Sequence, residues 1–289
     1  MSITERIQTY AQLMRLDKPI GILLLLWPML WGLWFAAQGL PDWHILLIFV
    51  LGTVLMRSAG CVINDFADRD IDPHVERTKN RPMAAGRVSK KEALLLAAGL
   101  SLIAFLLIQP LNRLTILLSV PALFLAGTYP FTKRFFAMPQ AYLGIAFSFG
   151  IPMAFAAQTD SLPPIIWVLM LANLFWVIAY DTAYAIVDKP DDLKIGIKTS
   201  AITLGHFDVA GVMACHACFI AIMAAIGQLQ HMSAAYYAGL AAATALIGYQ
   251  YTLIRNRDRA LCFKAFLHNN WVGMAVFAGI ALDFLIFPH

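Results

Sequence analysis

Eight of the chain's 17 acidic residues fall in two short clusters at the ends of apolar segments. The first is Asn64-Asp65-Phe66-Ala67-Asp68-Arg69-Asp70-Ile71-Asp72. The second is Asp181-Thr182-Ala183-Tyr184-Ala185-Ile186-Val187-Asp188, which after Lys189-Pro190 adds Asp191 and Asp192. Carboxylates are costly beside hydrocarbon, so clusters at a membrane edge mark a function. Their commonest shared partner is a hard divalent cation, and Mg²⁺ in particular is often held jointly by a few carboxylates and a substrate phosphate. Asp65, Asp68 and Asp72 recur at i, i+3 and i+7, which places them on one helical face if the helix runs on to Pro73. Three negative charges at a helix C-terminus are unfavourable without a cation. A metal–diphosphate site is therefore favoured over a solvated helix end. Asp70 points away from that face and reads as a solvated charge.

In the second cluster Asp181, Tyr184 and Asp188 share a face by the same spacing. Pro190 is expected to interrupt the helix, which leaves Asp191 and Asp192 unplaced by periodicity. Asp188 and Asp192 are the metal candidates here, and Asp191 could equally pair with Lys194. Asp181 lies deeper in the apolar segment, where it is either a ligand or a partner of a cation.

Basic residues supply the other half of a phosphate site. Arg77-Thr78-Lys79-Asn80-Arg81-Pro82 follows the first cluster, Tyr129-Pro130-Phe131-Thr132-Lys133-Arg134 closes another apolar segment, and Lys194 and Lys198 follow the second cluster. Arginine offers a bidentate fork to phosphate oxygens and lysine a point charge. Topology alone accounts for Lys90, Lys91, Arg255, Arg257 and Arg259, but less well for Arg77 and Lys133. Arg57 stands apart. It precedes Asn64 by seven residues, roughly 10 Å deeper along a helix. A cation at that depth needs an anion: a protein aspartate, a lipid phosphate or a small carboxylate substrate. The bland alternative is snorkelling to the interface.

The elements that position these groups are apolar helices. The chain is 60% hydrophobic and 13% charged, against roughly 25% charged in soluble domains. Nine segments approach spanning length: 20–38, 44–63, 92–109, 113–129, 138–157, 163–187, 207–227, 233–253 and 268–287. The pattern predicts an all-α polytopic membrane bundle of about nine transmembrane helices in a lipid bilayer, with 1–289 as a single domain. No cleavable signal peptide is expected, since the first apolar run is long enough to span. All but Arg57 and Arg113 of the 21 Lys and Arg lie in the N-terminal arm or in the loops after helices 2, 4, 6 and 8. The positive-inside rule then gives a cytoplasmic N-terminus, a C-terminus on the opposite side, and both aspartate clusters facing the cytoplasm. The net charge of +4 follows from those loops and does not point to nucleic acid. Cys215-His216-Ala217-Cys218 lacks a second ligand pair, so its thiols read as helix-surface residues rather than a metal site.

Taken together, the motifs resemble the UbiA family of intramembrane prenyltransferases. The match runs Asn64-Asp65-x-x-Asp68-x-x-x-Asp72, Arg77-Thr78-x-x-Arg81-Pro82 and Tyr129-Pro130-x-x-Lys133. It continues with Asp181-x-x-Tyr184-Ala185-x-x-Asp188-x-x-Asp191-Asp192-x-x-x-Gly196-Ile197-Lys198-Thr199-Ser200. Within the family the last segment is most similar to the bacterial branch whose acceptor is 4-hydroxybenzoate. Branches acting on haem or a naphthoate resemble it less there. The resemblance implies a central cavity that opens toward lipid for a polyprenyl tail. It implies Mg²⁺ bridging the metal candidates Asp65, Asp68, Asp72, Asp188 and Asp192 to polyprenyl diphosphate. Asp181 joins them as a catalytic residue, Arg77, Arg81, Lys133 and Lys198 hold the diphosphate, and Arg57, Asn64 and Tyr129 lie near the acceptor. The implied reaction is ring prenylation of 4-hydroxybenzoate ortho to the phenol, in ubiquinone synthesis at a bacterial inner membrane. A different aromatic acceptor is the alternative. A cation-coupled transporter fits less well, because transporter sites usually sit near the bilayer midplane.

Overall fold

A computed structural model of the chain describes residues 2–287, and among them every regular element is helical. The order is α1 (Ile3–Leu13), α2 (Ile20–Ala37), α3 (Trp43–Ala67), α4 (Lys90–Leu107), α5 (Arg113–Thr132), α6 (Pro139–Ser148), α7 (Gly150–Thr159), α8 (Ile165–Ile195), α9 (Ser200–Thr203), α10 (Asp208–Leu229), α11 (Ala234–Ile254) and α12 (Arg259–Ile286). The nine expected spans map onto α2, α3, α4, α5, the α6–α7 pair, α8, α10, α11 and α12. Seven of these segments are long and apolar enough to cross a membrane. α4 falls outside that set because it opens on Lys90, Lys91 and Glu92, and α11 because it is rich in alanine, glycine and tyrosine. The chain is an integral membrane protein.

Backbone groups have no water to bond in hydrocarbon, which is why the apolar runs form helices. Small residues and aromatic stacking hold them together. Gly239 of α11 faces Gly279 of α12 so closely that a Cβ at 239 would lie 2.7 Å from the Gly279 Cα. Backbone approach of this kind is how membrane helices gain van der Waals contact where water gives no driving force. Trp31 of α2, Trp176 of α8 and Phe219 of α10 form a fully buried aromatic cluster, with Trp31 and Trp176 centroids 5.2 Å apart. Trp176 also donates from Nε1 to Asn269 of α12 at 3.1 Å, which satisfies both buried polar groups.

α8 is the central element, packing against α6, α10 and α12. Its 31 residues reach roughly 46 Å, against a hydrocarbon core of about 30 Å. The surplus carries Asp188 and Asp192 past one end of the bundle. Here the structure corrects the sequence reading, because Pro190 lies inside α8 and does not interrupt it. Proline removes one backbone bond. The neighbouring Lys189 holds the helix end by donating to the Gly205 carbonyl at 2.6 Å and to Asp208 at 2.7 Å. Asp191 and Asp192 therefore do follow helical periodicity.

A second correction concerns the first cluster. α3 stops at Ala67, with Asp68 as its C-cap, and does not reach Pro73. A turn follows, then a short 3-10 helix over Asp72–His74. The Thr78 hydroxyl donates to the Asp72 carbonyl at 2.9 Å and fixes that turn. Asp72 still meets Asp65, but through a reversal of the chain rather than along one helical face.

Candidate active site

The loops after α3, α5, α8 and α11 converge at one end of the bundle, and ion pairs join them. Arg81 bridges Asp65 at 3.2 Å and Asp72 at 3.0 Å. Arg77 reaches across to α8, donating from Nε to Asp188 Oδ1 at 3.0 Å and also from Nη2 to Oδ2. Lys133 pairs with Asp68. The arginine fork of Arg77 lies over the Tyr184 ring, 4.4 Å from its centroid. The two aspartate clusters therefore share one polar pocket of about 130 Å³, although they are more than a hundred residues apart.

Asp65, Asp68, Asp72, Asp188 and Asp192 are all buried. Buried carboxylates need partners, and most have one. Two do not have a full set. Asp68 Oδ1 is buried with no hydrogen-bond partner, and Asp192 makes no ion pair among the described residues. One incompletely satisfied carboxylate from each cluster, lining the same pocket, fits a hard cation with oxygen ligands. No three acidic, histidine or cysteine side chains among the described residues form a closed metal cage. Burial pushes the Asp72 carboxyl above the ordinary carboxylate range against the pull of Arg81, and Asp68 and Asp65 push in the same direction. For Arg81, burial works against the charge, but the carboxylates of Asp65 and Asp72 outweigh it and push the guanidinium up.

The remaining sequence candidates divide clearly. Asp191 pairs outside the pocket with Arg259 at 2.7 Å and Lys194 at 3.6 Å. Asp70 is exposed beside Arg69. Lys198 lines the pocket, but its exposed ammonium donates to the Phe135 carbonyl at 3.1 Å rather than to an acid. Its backbone N–H bonds the Lys133 carbonyl at 3.1 Å and so ties two basic loops together.

Beneath the polar pocket lies a larger, mostly apolar cavity of about 1070 Å³. Asn64, Tyr129, Tyr184, Arg77 and Arg81 line both spaces, and Asp181 is the single carboxylate that does so among the described residues. The cavity wall includes Phe105 of α4 and Leu123 of α5, both exposed large apolar side chains. Arg57 lines it too. This arginine makes no ion pair among the described residues, and its buried Nε has no hydrogen-bond partner. Gly21 makes room for it, since a Cβ there would lie 2.6 Å from Arg57 Nη2. Asp181 lines the same cavity but forms no ion pair with Arg57 among the described residues.

Arg15 is a site residue that sequence reasoning did not single out. It follows α1 with a positive φ of 57° and lines the large cavity. Its Nη2 grips Asp65 at 2.7 and 2.8 Å. In the sequence it is one of several basic residues in a cytoplasmic arm, and nothing in its spacing ties it to Asp65.

Comparisons with known proteins establish the family and the fold. Residues 25–274 match the UbiA prenyltransferase family. The chain is 73% identical over 286 residues to the 4-hydroxybenzoate octaprenyltransferase of Nitrosospira multiformis, covering 99% of each chain. It is 66% identical to the protein of the same name from Azoarcus sp., covering 99% of this chain and 100% of the relative. Among solved structures, an apo UbiA homolog from Aeropyrum pernix K1 superposes with a TM-score of 0.79 at 27% identity, covering 90% of this chain and 97% of that one. A UbiA homolog from Archaeoglobus fulgidus bound to GPP and Mg²⁺ gives 0.72 at 17% identity, covering 94% and 99%, and shares the fold. The chain belongs to the UbiA prenyltransferase family.

Proposed function

We propose that this protein transfers a polyprenyl group from polyprenyl diphosphate to the ring of 4-hydroxybenzoate, ortho to the phenol, and releases diphosphate in ubiquinone biosynthesis. The observation that carries this reading is the unpaired Arg57 guanidinium in an apolar cavity directly beneath a pocket of acids and bases. A small aromatic carboxylate supplies the anion that this cation lacks. The names of the relatives, which align over nearly the whole chain, support the same acceptor.

The residues divide the work. Asp65, Asp68, Asp72, Asp188 and Asp192 would hold Mg²⁺, with the free oxygen of Asp68 and the unpaired Asp192 as the readiest ligands. When bound, such an ion neutralises the leaving diphosphate as a Lewis acid and template. Arg77, Arg81 and Lys133 each hold a carboxylate and can transfer their hydrogen bonds to phosphate oxygens, with Lys198 at the rim. Preorganised positive groups of this kind stabilise charge that develops as the allylic C–O bond breaks. The apolar cavity takes the tail and excludes water from the allylic cation. Arg57 orients the acid so that the ring carbon ortho to the phenol attacks. Asn64, Tyr129 and Asp181 line the junction where ring and diphosphate meet, and loss of the ring proton completes the exchange of a C–O for a C–C bond.

The basic end of the bundle faces the cytoplasm of a bacterial inner membrane, and residues 1–289 act as one domain. The test is an assay of purified protein with 4-hydroxybenzoate and polyprenyl diphosphates of several lengths, with and without Mg²⁺. A prenylated hydroxybenzoate in the complete mixture is expected. Prenylation of a dihydroxynaphthoate but not of 4-hydroxybenzoate would reassign the acceptor.

A further inference from the structure

Two buried polar atoms in the large cavity lack hydrogen-bond partners, Arg57 Nε and the Tyr180 hydroxyl. The reaction described above uses the first and leaves the second idle. A buried hydroxyl with no partner is costly, and Tyr180 is 1% exposed. Its ring is fixed, edge-on to Trp176 with centroids 5.2 Å apart and against Phe266 at 6.0 Å. The hydroxyl therefore has little freedom to find a partner by rotating the side chain away.

Along their helices the two groups lie at depths that differ by about 4 Å. α3 and α8 both run toward the acidic end of the bundle. Tyr180 precedes Asp188 by eight residues, roughly 12 Å, and Arg57 precedes Asp68 by eleven, roughly 16 Å. Both side chains line the same cavity. Both groups are donors. A guanidinium has no acceptor, and a phenol donates readily to a carboxylate, which offers about four lone-pair sites. An arginine fork fills two of them and leaves room for a third donor.

We infer that the Tyr180 hydroxyl donates to the carboxylate of the aromatic acid alongside Arg57, so that the two residues form a clamp selecting acceptors that carry a carboxylate. This rests on the acceptor reading above. Tyr180 is then a specificity residue rather than part of the diphosphate machinery. Its partner is the acid group and not the phenol.

The test uses detergent-purified wild type, Tyr180→Phe, Arg57→Ala and the double variant. Each is titrated calorimetrically with 4-hydroxybenzoate, with benzoate, and with a polyprenyl diphosphate in the presence of Mg²⁺. Tyr180→Phe removes only the hydroxyl. It should raise Kd for both acids by about tenfold or more and leave the diphosphate Kd within about twofold. The double variant should lose little beyond Arg57→Ala alone, as expected for two donors on one group. Weakened 4-hydroxybenzoate with unchanged benzoate would put the hydroxyl on the phenol and overturn the inference. Equal weakening of acid and diphosphate would also overturn it, by giving Tyr180 a packing role. If wild type binds neither acid, the acceptor reading itself fails, which the wild-type titrations alone reveal.

Discussion

Arg77 and Asp188 form a forked ion pair that joins the loop after α3 to α8, with Arg77 Nε 3.0 Å from Asp188 Oδ1. Tyr184, one turn before Asp188, carries the guanidinium on its ring face at 4.4 Å. One arginine thus locks the first basic loop onto the second aspartate cluster. Most of the site's charges are already paired, so under the proposed function an incoming diphosphate would take its arginines and lysine from carboxylates. The carboxylates this frees are then available to a cation.

That exchange predicts a divided phenotype for Arg77. Arg77→Ala should raise KM for polyprenyl diphosphate and leave KM for 4-hydroxybenzoate nearly unchanged. It also strands a buried carboxylate, so thermal stability in detergent should fall by about 1–3 kcal/mol. Arg77→Lys keeps the charge but loses the fork, and should recover only part of both losses. Paired substrate titrations with a melting curve for each variant check this. A rise in KM for the acid alone would move Arg77 out of the phosphate site.

The aspartates should not be equivalent. Asp65→Ala, Asp68→Ala and Asp188→Ala should each cut turnover by at least about 10²-fold, the scale of losing one preorganised electrostatic group. Asp70→Ala should be far milder, because its side chain is 73% exposed and pairs only with Arg69. Chelation by EDTA should abolish wild-type activity and added Mg²⁺ restore it. Full turnover in chelator, or equal losses at Asp68 and Asp70, would contradict the assigned roles.

Much of this arrangement was legible in the sequence, for physical reasons. Apolar runs in a membrane have to satisfy their own backbone, so the spans and the basic loops between them can be read from composition. The i, i+7 spacing of Asp181 and Asp188 worked because α8 is continuous there. The same rule failed for Asp72, whose position depends on a turn fixed by the Thr78 hydroxyl and on Arg81, contacts that no periodicity encodes. It also failed at Pro190, where the Lys189 contacts to Gly205 and Asp208 hold the helix together past a residue that ordinarily ends one. Arg15 was hidden because its partner lies 50 residues away. The Lys198 ammonium rests on the Phe135 carbonyl, a contact that no spacing encodes.

The charge distribution makes a topological prediction. On a background lacking Cys61, Cys215, Cys218 and Cys262, single cysteines replacing Lys79, Lys194 and Asp160 all fall at exposed positions. The first two should react with an impermeant thiol reagent only from the cytoplasmic side, and the third only from the other. Labelling of position 79 from outside would reverse the orientation and place the substrates on the wrong side of the membrane.

Arg57 separates acceptor recognition from diphosphate chemistry. Its guanidinium lies deeper along α3 than Asp65 and Asp68, sits in the space that Gly21 leaves open, and faces the ring of Phe147 at 6.0 Å. Among the described residues no carboxylate forms an ion pair with it, although Asp181 lines the same cavity. Under the proposed function, a diphosphate held by Arg77, Arg81 and Lys133 leaves the Arg57 cation for the second substrate. Arg57→Ala should therefore raise KM for 4-hydroxybenzoate strongly and spare polyprenyl diphosphate. Losing a charge-assisted pair in so dry a cavity corresponds to roughly 2–5 kcal/mol of binding. Arg57→Lys should restore only a fraction, because an ammonium offers no planar fork. Substrate titrations on each variant, with a check that the protein still inserts, decide the matter. If Arg57→Ala weakens the diphosphate and spares the acid, Arg57 belongs to the phosphate site and the carboxylate assignment falls.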